Sequence, residues 1–141
     1  MTHNIASESK SWLVAIVDDE SAVRVGLRRF CIAAGMRATV YVSGGELIEA
    51  MQAPAWVSPD CLLLDSHMLD MTGLEVLQHL IRQSAPFPIL VYSAADEPEA
   101  VDRYVEAGAV AYLRKPILGK HLIAAVERAI GVSFASTLLG R

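Results

Sequence analysis

Short apolar runs alternate with amphipathic segments along most of this chain. Five runs rich in aliphatic residues predict buried parallel strands at 12–17, 39–42, 61–64, 89–92 and 110–113. Apolar residues at helical spacing predict five helices, one from Ser21 to a stop at Gly35, one opening at Gly44, one from Gly73, one over about 97–107 and one over about 118–130. This alternation predicts a parallel sheet that helices cover on both faces.

The order of these elements predicts a single α/β domain of the doubly wound, flavodoxin-like (βα)5 type. Its expected five-stranded parallel sheet has the strand order 2-1-3-4-5, with the topological switch point beside the first strand. At 141 residues the chain is long enough to bury a substantial core without disulfides. We expect a disordered leader over residues 1–10, the domain over 11–131, and a tail or the start of a linker over 132–141.

Composition narrows the class of protein. The formal net charge is −4 and no block of Lys or Arg occurs, so nothing indicates that this segment binds nucleic acid. All apolar runs are shorter than the roughly 18–20 residues of a membrane span, and residues 2–11 lack a signal-peptide core. Cys31 and Cys61 belong to no C-x-x-C motif and are expected as buried thiols. We therefore expect a cytoplasmic protein that does not enter a membrane.

Side chains that can bind a ligand or react follow four of the predicted strands. Asp18 and Asp19 come after the first strand, Asp65 after the third, Ser93 after the fourth and Lys115 after the fifth. Because the carboxyl ends of parallel strands meet at one edge of a sheet, we expect these groups to converge there. Crowded carboxylates raise one another's pKa unless a cation neutralises them. Mg²⁺ is the natural cation, since it binds a few carboxylates and leaves positions for phosphate oxygens.

A carboxylate at this edge can also act as a nucleophile. Asp65 can accept a phosphoryl group to give an aspartyl phosphate. Such a transfer depends mainly on positioning and on stabilising charge on the phosphoryl oxygens. The metal would bind one of these oxygens, Lys115 a second and the hydroxyl of Ser93 a third.

Several short motifs follow one another along the chain. They are Val-Asp-Asp-Glu at 17–20, Pro-Asp-Cys-Leu-Leu-Leu-Asp at 59–65, Met68 with Met-Thr-Gly at 71–73, Tyr-Ser-Ala at 92–94, Ala-Gly-Ala at 107–109 and Tyr-Leu-Arg-Lys-Pro at 112–116. At these residues, and over about 11–131, the sequence closely resembles the receiver domain of bacterial two-component response regulators. The resemblance implies a phosphorylation-dependent signalling switch. Such a receiver catalyses its own phosphorylation and dephosphorylation, and it is not a turnover enzyme.

The resemblance also implies a role for each site residue. Asp65 would be the phosphoacceptor, and Lys115 would pair with it or with its phosphate. Asp19 would bind Mg²⁺ directly and Asp18 largely through water, while the backbone carbonyl of His67 would complete the metal site. For His67 the residues leave two alternatives open, an imidazole that tunes attack of water on the phosphoaspartate or a side chain that simply faces solvent.

Further implications concern the switch and the loop after Asp65. Ser93 would move toward the phosphoryl group, and the ring of Tyr112 would swing inward with it, although a half-buried strand aromatic explains Tyr112 equally well. The Lys115–Pro116 bond is often cis in this family. Leu69 stands where proline is usual, which predicts a looser loop after Asp65.

The resemblance implies partners as well. The phosphoryl donor would be a sensor histidine kinase or a phosphotransfer protein. A homodimer through the fourth helix, fifth strand and fifth helix would be supported by an acidic start of the fourth helix and by Lys120, His121 and Arg128 on the fifth. An effector domain would need many more residues than follow Ile130, so we expect either a single-domain regulator or the receiver of a longer protein.

Two other classes of function compete with the switch. One is a receiver-fold adaptor that binds partners regardless of phosphorylation, although loss of site residues would be its usual sign. The other is an aspartate-nucleophile phosphatase similar to haloacid dehalogenases, which carry a second Asp two residues after the nucleophile. Here that position is His67. For Asp18 and Asp19 the alternative is an N-cap of the first helix, for which one acid would suffice.

Overall fold

The computed structural model describes residues 11–94 and 98–138. The strands are β1 (Leu13–Val17), β2 (Arg37–Tyr41), β3 (Cys61–Asp65), β4 (Ile89–Ser93) and β5 (Ala111–Arg114). The helices are α1 (Ser21–Ala33), α2 (Gly44–Met51), α3 (Gly73–Arg82), α4 (Pro98–Glu106) and α5 (Gly119–Leu138). The predicted leader over 1–10 and the acids Asp96 and Glu97 expected before α4 lie outside the described residues.

The five strands form one parallel sheet in the order β2-β1-β3-β4-β5. Every residue of β1, β3 and β4 is buried, because helices cover both faces of these central strands. The edge strand β2 is exposed at three of its five positions. The predicted fold class and strand order are therefore confirmed.

Side chains alternate between the two faces of the sheet and build two cores. From β3, Leu62 and Leu64 contribute to the core that holds residues of α2, α3 and α4. Their neighbours Cys61 and Leu63 contribute to the core that holds residues of α1 and α5. Cys31 also belongs to this second core, and both thiols are buried and free, as the sequence predicted.

Two element boundaries differ from the sequence prediction by more than one residue. Strand β2 begins two residues early, at Arg37, whose N–H donates to the carbonyl of Trp12 at 2.8 Å. Helix α5 continues to Leu138, so its predicted end near Ile130 is wrong. Gly131 lowers helix propensity but cannot end a helix alone, and no proline follows it. Within the described part of the chain, no helix is both long and apolar enough to cross a membrane.

The start of α3 packs directly under the turn that follows Asp65. A Cβ on Gly73 would lie 2.7 Å from the carbonyl oxygen of Asp65 and from Cα of Ser66, so only glycine permits this approach. The N–H of Gly73 donates to the carbonyl of Ser66 at 3.0 Å. A capping box between Thr72 and Glu75 satisfies the first turn of the helix. The loop after Asp65 is thus closed against a well-capped helix.

Candidate functional site

The carboxyl ends of four strands bring polar side chains to one edge of the sheet. Asp18 follows β1, Asp65 and Ser93 end β3 and β4, and Lys115 follows β5. Asp18 and Ser93 are fully buried and Asp65 is 1% exposed, although the strands around them are aliphatic. Buried polar groups of this kind are costly unless they are paired, so their arrangement needs a specific account.

Lys115 connects the two buried carboxylates. Its Nζ lies 3.2 Å from Oδ1 of Asp65 and 3.4 Å from Oδ2 of Asp18. Its backbone N–H donates to the carbonyl of Ser93 at 2.8 Å, which continues the pairing of β4 with the chain after β5. The Lys115–Pro116 peptide bond that follows is cis, as the resemblance implied. One ammonium group therefore faces two carboxylates, and the cluster keeps an excess of negative charge.

The pKa values reflect this crowding. Burial and then the charge of Asp18 raise the pKa of Asp65 above that of an ordinary aspartate, while the backbone N–H of His67 and the ammonium of Lys115 act in the opposite direction. Burial alone would lower the pKa of Lys115, but attraction to Asp65 and Asp18 outweighs it, and this pKa is raised. The lysine is held as a cation, and a further cation would stabilise the ionised carboxylates.

Asp18, Asp19 and Asp65 form a cluster suited to a metal ion. Each offers a carboxylate oxygen, and these oxygens lie within 4.8 Å of one another. A donor set made only of carboxylate oxygens fits a hard cation such as Mg²⁺, and the excess negative charge favours one. The main chain of His67 lies beside them, since its N–H donates to Oδ1 of Asp65 at 3.3 Å. Coordination by its carbonyl remains a prediction.

A cavity of about 330 Å³ opens this edge, lined by Asp65, Lys115, His67, Glu20 and Ala94. It offers a phosphoryl group a route to Asp65, which is otherwise covered. His67 is exposed at the mouth, and its Nδ1 lies 2.8 Å from the hydroxyl of Ser66. This position suits both alternatives left open for His67, because its ring faces solvent and also borders the path that water would take.

The loop after Asp65 is tied at two points. The N–H of Leu69 donates to Oδ2 of Asp19 at 3.2 Å, a bond that the proline usual in the resembled family could not form. One residue on, Oδ2 of Asp70 accepts from the N–H of Gly45 at 3.0 Å. The side chain of Leu69 is 98% exposed. A looser loop stays a prediction, and these two hydrogen bonds oppose it.

Tyr112 has an unusual environment for a strand tyrosine. Its hydroxyl is buried and has no hydrogen-bond partner among the described residues. Its ring packs against Tyr104 of α4, with centroids 5.5 Å apart and planes at 46°. An ordinary half-buried tyrosine would place its hydroxyl in water, whereas a buried unpaired hydroxyl costs free energy. Tyr112 lies opposite Val91, two residues before Ser93 on β4.

Tyr92 is the residue that sequence reasoning missed. It is 1% exposed, its hydroxyl donates to Oδ2 of Asp18 at 2.7 Å, and Nζ of Lys115 lies 4.9 Å from the centre of its ring. The sequence did hold a signal, because a phenol ends the aliphatic run Ile-Leu-Val at the edge where the carboxylates collect. Buried phenols usually need a hydrogen-bond partner, and the nearest acceptors were those carboxylates.

Comparison with known proteins identifies the family. The family model for the response regulator receiver domain matches residues 14–127. The chain belongs to this family. Receiver domains serve phosphorylation-dependent signalling in two-component systems, and that general function applies to this chain. The buried carboxylates, Ser93 and Lys115 all lie within the matched residues.

Individual relatives agree with this family. The chain is 34% identical to the DNA-binding transcriptional regulator NtrC of Escherichia coli (strain K12) over 118 residues, which cover 84% of this chain and 24% of NtrC. It is 31% identical to the transcriptional regulatory protein FixJ of Bradyrhizobium diazoefficiens, covering 83% of this chain and 56% of FixJ. The chain thus spans about a quarter and about half of these curated relatives.

A solved structure supports the fold. The signal receiver domain of a putative Luxo repressor protein from Vibrio parahaemolyticus superimposes with a TM-score of 0.83 at 19% identity, covering 91% of this chain and 96% of that domain. At this identity the likeness concerns the fold. The roles of individual site residues therefore rest on the geometry described above.

Proposed function

We propose that this receiver is switched by transfer of a phosphoryl group from a sensor histidine kinase or a phosphotransfer protein to Asp65. The observation that carries the proposal is the pair of buried carboxylates, Asp18 and Asp65, that share one ammonium group at the open edge of the sheet. Burying two acids beside one lysine destabilises a fold, and such arrangements mark functional sites.

The transfer needs little from the protein beyond positioning. A carboxylate oxygen of Asp65 attacks phosphorus, the bond from phosphorus to the donor's imidazole nitrogen breaks, and its electron pair stays on that nitrogen. The phosphohistidine reacts with its other ring nitrogen protonated, so the products are a mixed anhydride on Asp65 and a neutral histidine on the partner. Lys115, already 3.2 Å from Oδ1 of Asp65, would stabilise charge on the phosphoryl oxygens. Water can later hydrolyse the anhydride through the same cavity.

Mg²⁺ would be the cofactor of this step. Asp18, Asp19, Asp65 and the backbone carbonyl of His67 would hold it, and when bound it would neutralise charge on the phosphoryl group. The cluster of three acids supports this assignment, and so does the pKa of Asp65, which burial and then the charge of Asp18 raise. Asp19 is partly exposed, whereas Asp18 is buried and bonded to protein donors, which fits direct binding by Asp19 and binding through water by Asp18.

The response to phosphorylation would run through Ser93 and Tyr112. Ser93 would move toward the phosphoryl group, and the ring of Tyr112 would swing inward with it, from a position in which its hydroxyl lacks a described partner. This movement would change the surface formed by α4, β5 and α5. Phosphorylation would thus be a local change in charge that biases an element with two states. The receiver would thus act by its own phosphorylation and dephosphorylation without turnover of a substrate.

The oligomeric state, cellular location and contacts of the protein are also proposals. A homodimer would use the α4-β5-α5 surface, with Lys120, His121 and Arg128 supplying positive charge on α5. We place the protein in the cytoplasm, where a sensor kinase would reach it. The longer relative NtrC is a DNA-binding transcriptional regulator, and for this segment we propose protein contacts alone.

The test is the intact mass after incubation with a small acyl-phosphate donor, with and without Mg²⁺. We expect one phosphoryl adduct that requires Mg²⁺ and is labile to base. The Asp65→Asn variant should form none, because an amide cannot become an acyl phosphate. Asp60→Asn is the matched control, since Asp60 directly precedes β3, at the end of the strand opposite Asp65. Its exposed side chain accepts only the N–H of Leu13 in the described contacts.

Two results would contradict the proposal. Stoichiometric phosphorylation of Asp65→Asn at another acid would show that the nucleophile is misassigned. A folded wild-type protein that forms no adduct would favour the receiver-fold adaptor, and sustained hydrolysis of a small phosphomonoester would instead favour the phosphatase.

A further inference from the structure

Tyr92 contacts Asp18 and Lys115 of the site, and no role has been assigned to it so far. Its hydroxyl donates to Oδ2 of Asp18 at 2.7 Å, and its ring lies under the ammonium of Lys115, 4.9 Å from Nζ to the centroid. The phenol is the donor of this hydrogen bond, because an ionised carboxylate oxygen can only accept. It is the last residue of β4 before Ser93.

Asp18 is held far more tightly than the other two acids. Its Oδ1 accepts the N–H of Glu20 at 2.7 Å, and its Oδ2 accepts both the phenol of Tyr92 and the more distant Nζ of Lys115 at 3.4 Å. These bonds occupy both oxygens of a fully buried carboxylate. Asp19, by comparison, shows one described donor, the N–H of Leu69 at 3.2 Å.

The phenol has two effects on this cluster. It supplies a short hydrogen bond that fixes the plane of the Asp18 carboxylate, and it competes with Lys115 for the same oxygen. Oδ2 of Asp18 has the phenol as its close donor at 2.7 Å, and the ammonium lies 3.4 Å from this oxygen and 3.2 Å from Oδ1 of Asp65. Without the hydroxyl, Lys115 would be drawn toward Asp18, and its positive charge would move into the space between the acids.

We propose that Tyr92 is a positioning residue of the metal site, which holds Asp18 in the orientation that binds Mg²⁺ through water and keeps Lys115 on Asp65. This inference rests on the proposed function, because it concerns the Mg²⁺ that the acids would bind. Partners that orient a metal's ligands typically change metal affinity by about 10–100-fold when they are removed.

The test compares Tyr92→Phe with the wild-type chain. Phenylalanine keeps the ring under Lys115 and removes only the hydroxyl. We expect Mg²⁺ to bind the unphosphorylated variant about 10-fold more weakly, measured by isothermal titration calorimetry at a temperature where both proteins are folded. Tyr41→Phe is the matched control, because Tyr41 ends β2, the strand beside β1, and contacts Asp18 only through its backbone carbonyl. Its Mg²⁺ affinity should equal that of the wild type.

A purely structural role for Tyr92 would lower the thermal midpoint of unfolding without changing the Mg²⁺ affinity of the folded protein. Equal or tighter Mg²⁺ binding by Tyr92→Phe would therefore overturn the inference while leaving the proposed function intact. If the wild-type protein itself bound no Mg²⁺, both would be overturned.

A second measurement does not depend on the variant being folded. In wild-type protein labelled with 3-fluorotyrosine, the ¹⁹F resonance of Tyr92 should shift with Mg²⁺ at the same midpoint as the calorimetric titration, and that of Tyr41 should not. A Tyr92 resonance that stays unchanged through the titration would contradict the inference.

Discussion

Two tyrosines on adjacent strands have opposite hydrogen-bonding environments. Tyr92 of β4 packs with the core that holds residues of α1 and α5, and its hydroxyl is bonded to Asp18 at 2.7 Å. Tyr112 of β5 packs against the other core, and its buried hydroxyl has no partner in the described part of the chain. The two residues are one position apart in the register of β4 with β5, where Tyr112 lies opposite Val91.

We propose that this difference separates a fixed region of the site from one that moves on phosphorylation. A short bond to a buried carboxylate ties Tyr92 to the acids and stabilises one arrangement. A buried hydroxyl without a partner makes the position of Tyr112 in this structure less stable than the ring contacts alone would suggest. Any rearrangement that supplies a partner for this hydroxyl would be favoured. The acids therefore form the preorganised region, and the aromatic pair on α4 and β5 forms the responsive one.

The largest effect should follow loss of the ammonium in the fixed region. Lys115→Ala leaves Asp18 and Asp65 facing each other, so we expect the free energy of unfolding to fall by about 2 kcal/mol without Mg²⁺, less than for a fully buried pair because Lys115 is partly exposed. Added Mg²⁺ should restore part of this loss. The variant should still accept a phosphoryl group but fail to rearrange Tyr112. Urea unfolding and ¹⁹F NMR of the tyrosines measure these effects.

The exposed Lys120 provides the control for that experiment. Lys120→Ala should change the free energy of unfolding by less than about 0.5 kcal/mol, as is usual for surface substitutions. Equal stability of Lys115→Ala and Lys120→Ala would show that the two buried acids are not held by Lys115.

The comparison of the two tyrosines predicts different effects on stability for one chemical change. Tyr92→Phe removes a bonded donor from a charged acceptor and should lower the free energy of unfolding by about 1.5 kcal/mol. Tyr112→Phe removes an unpaired buried hydroxyl and should raise it by about 0.5 kcal/mol or leave it unchanged. Urea unfolding without Mg²⁺ measures both, with Tyr41→Phe as reference. Similar losses in both variants would mean that the hydroxyl of Tyr112 has a partner of its own.

The smallest effect concerns pH. The pKa of Asp65 is raised in the folded protein, so the folded state binds this proton more tightly than the unfolded state does. The stability that protonated Asp65 contributes is present below the ordinary aspartate pKa of 3.8 and is lost as the pH rises through the raised value. Without Mg²⁺, the stability of the wild type relative to Asp65→Asn should therefore fall as the pH rises above about 4. A difference that is constant or grows with pH would refute this assignment.

Much of the site could be predicted because it depends on topology. Once the apolar runs are assigned to parallel strands, the residues after them must share one edge, and this places Asp18, Asp65, Ser93 and Lys115 together. The sequence predicts that these residues converge, but it does not predict the distances between them. The family assignment rests on the same residues at the same spacing.

The missed features depend on side-chain packing over long sequence distances. The bond from Tyr92 to Asp18 joins residues 74 positions apart, and it depends on how the two side chains pack in the folded protein. The unpaired hydroxyl of Tyr112 likewise depends on how Tyr104 packs over it. The contact of Leu69 with Asp19 uses a backbone N–H, whose direction the loop conformation sets. Periodicity in the sequence carries none of this information.

The most direct test of the distinction between the two regions is a crystal structure of the protein with Mg²⁺ and beryllofluoride, an analogue of the phosphoryl group. The account predicts Mg²⁺ on the acids, beryllofluoride on Asp65, the hydroxyl of Tyr92 still bonded to Asp18, and Tyr112 in a new position with a partner for its hydroxyl. A structure in which Tyr112 is unmoved while Tyr92 has left Asp18 would contradict it.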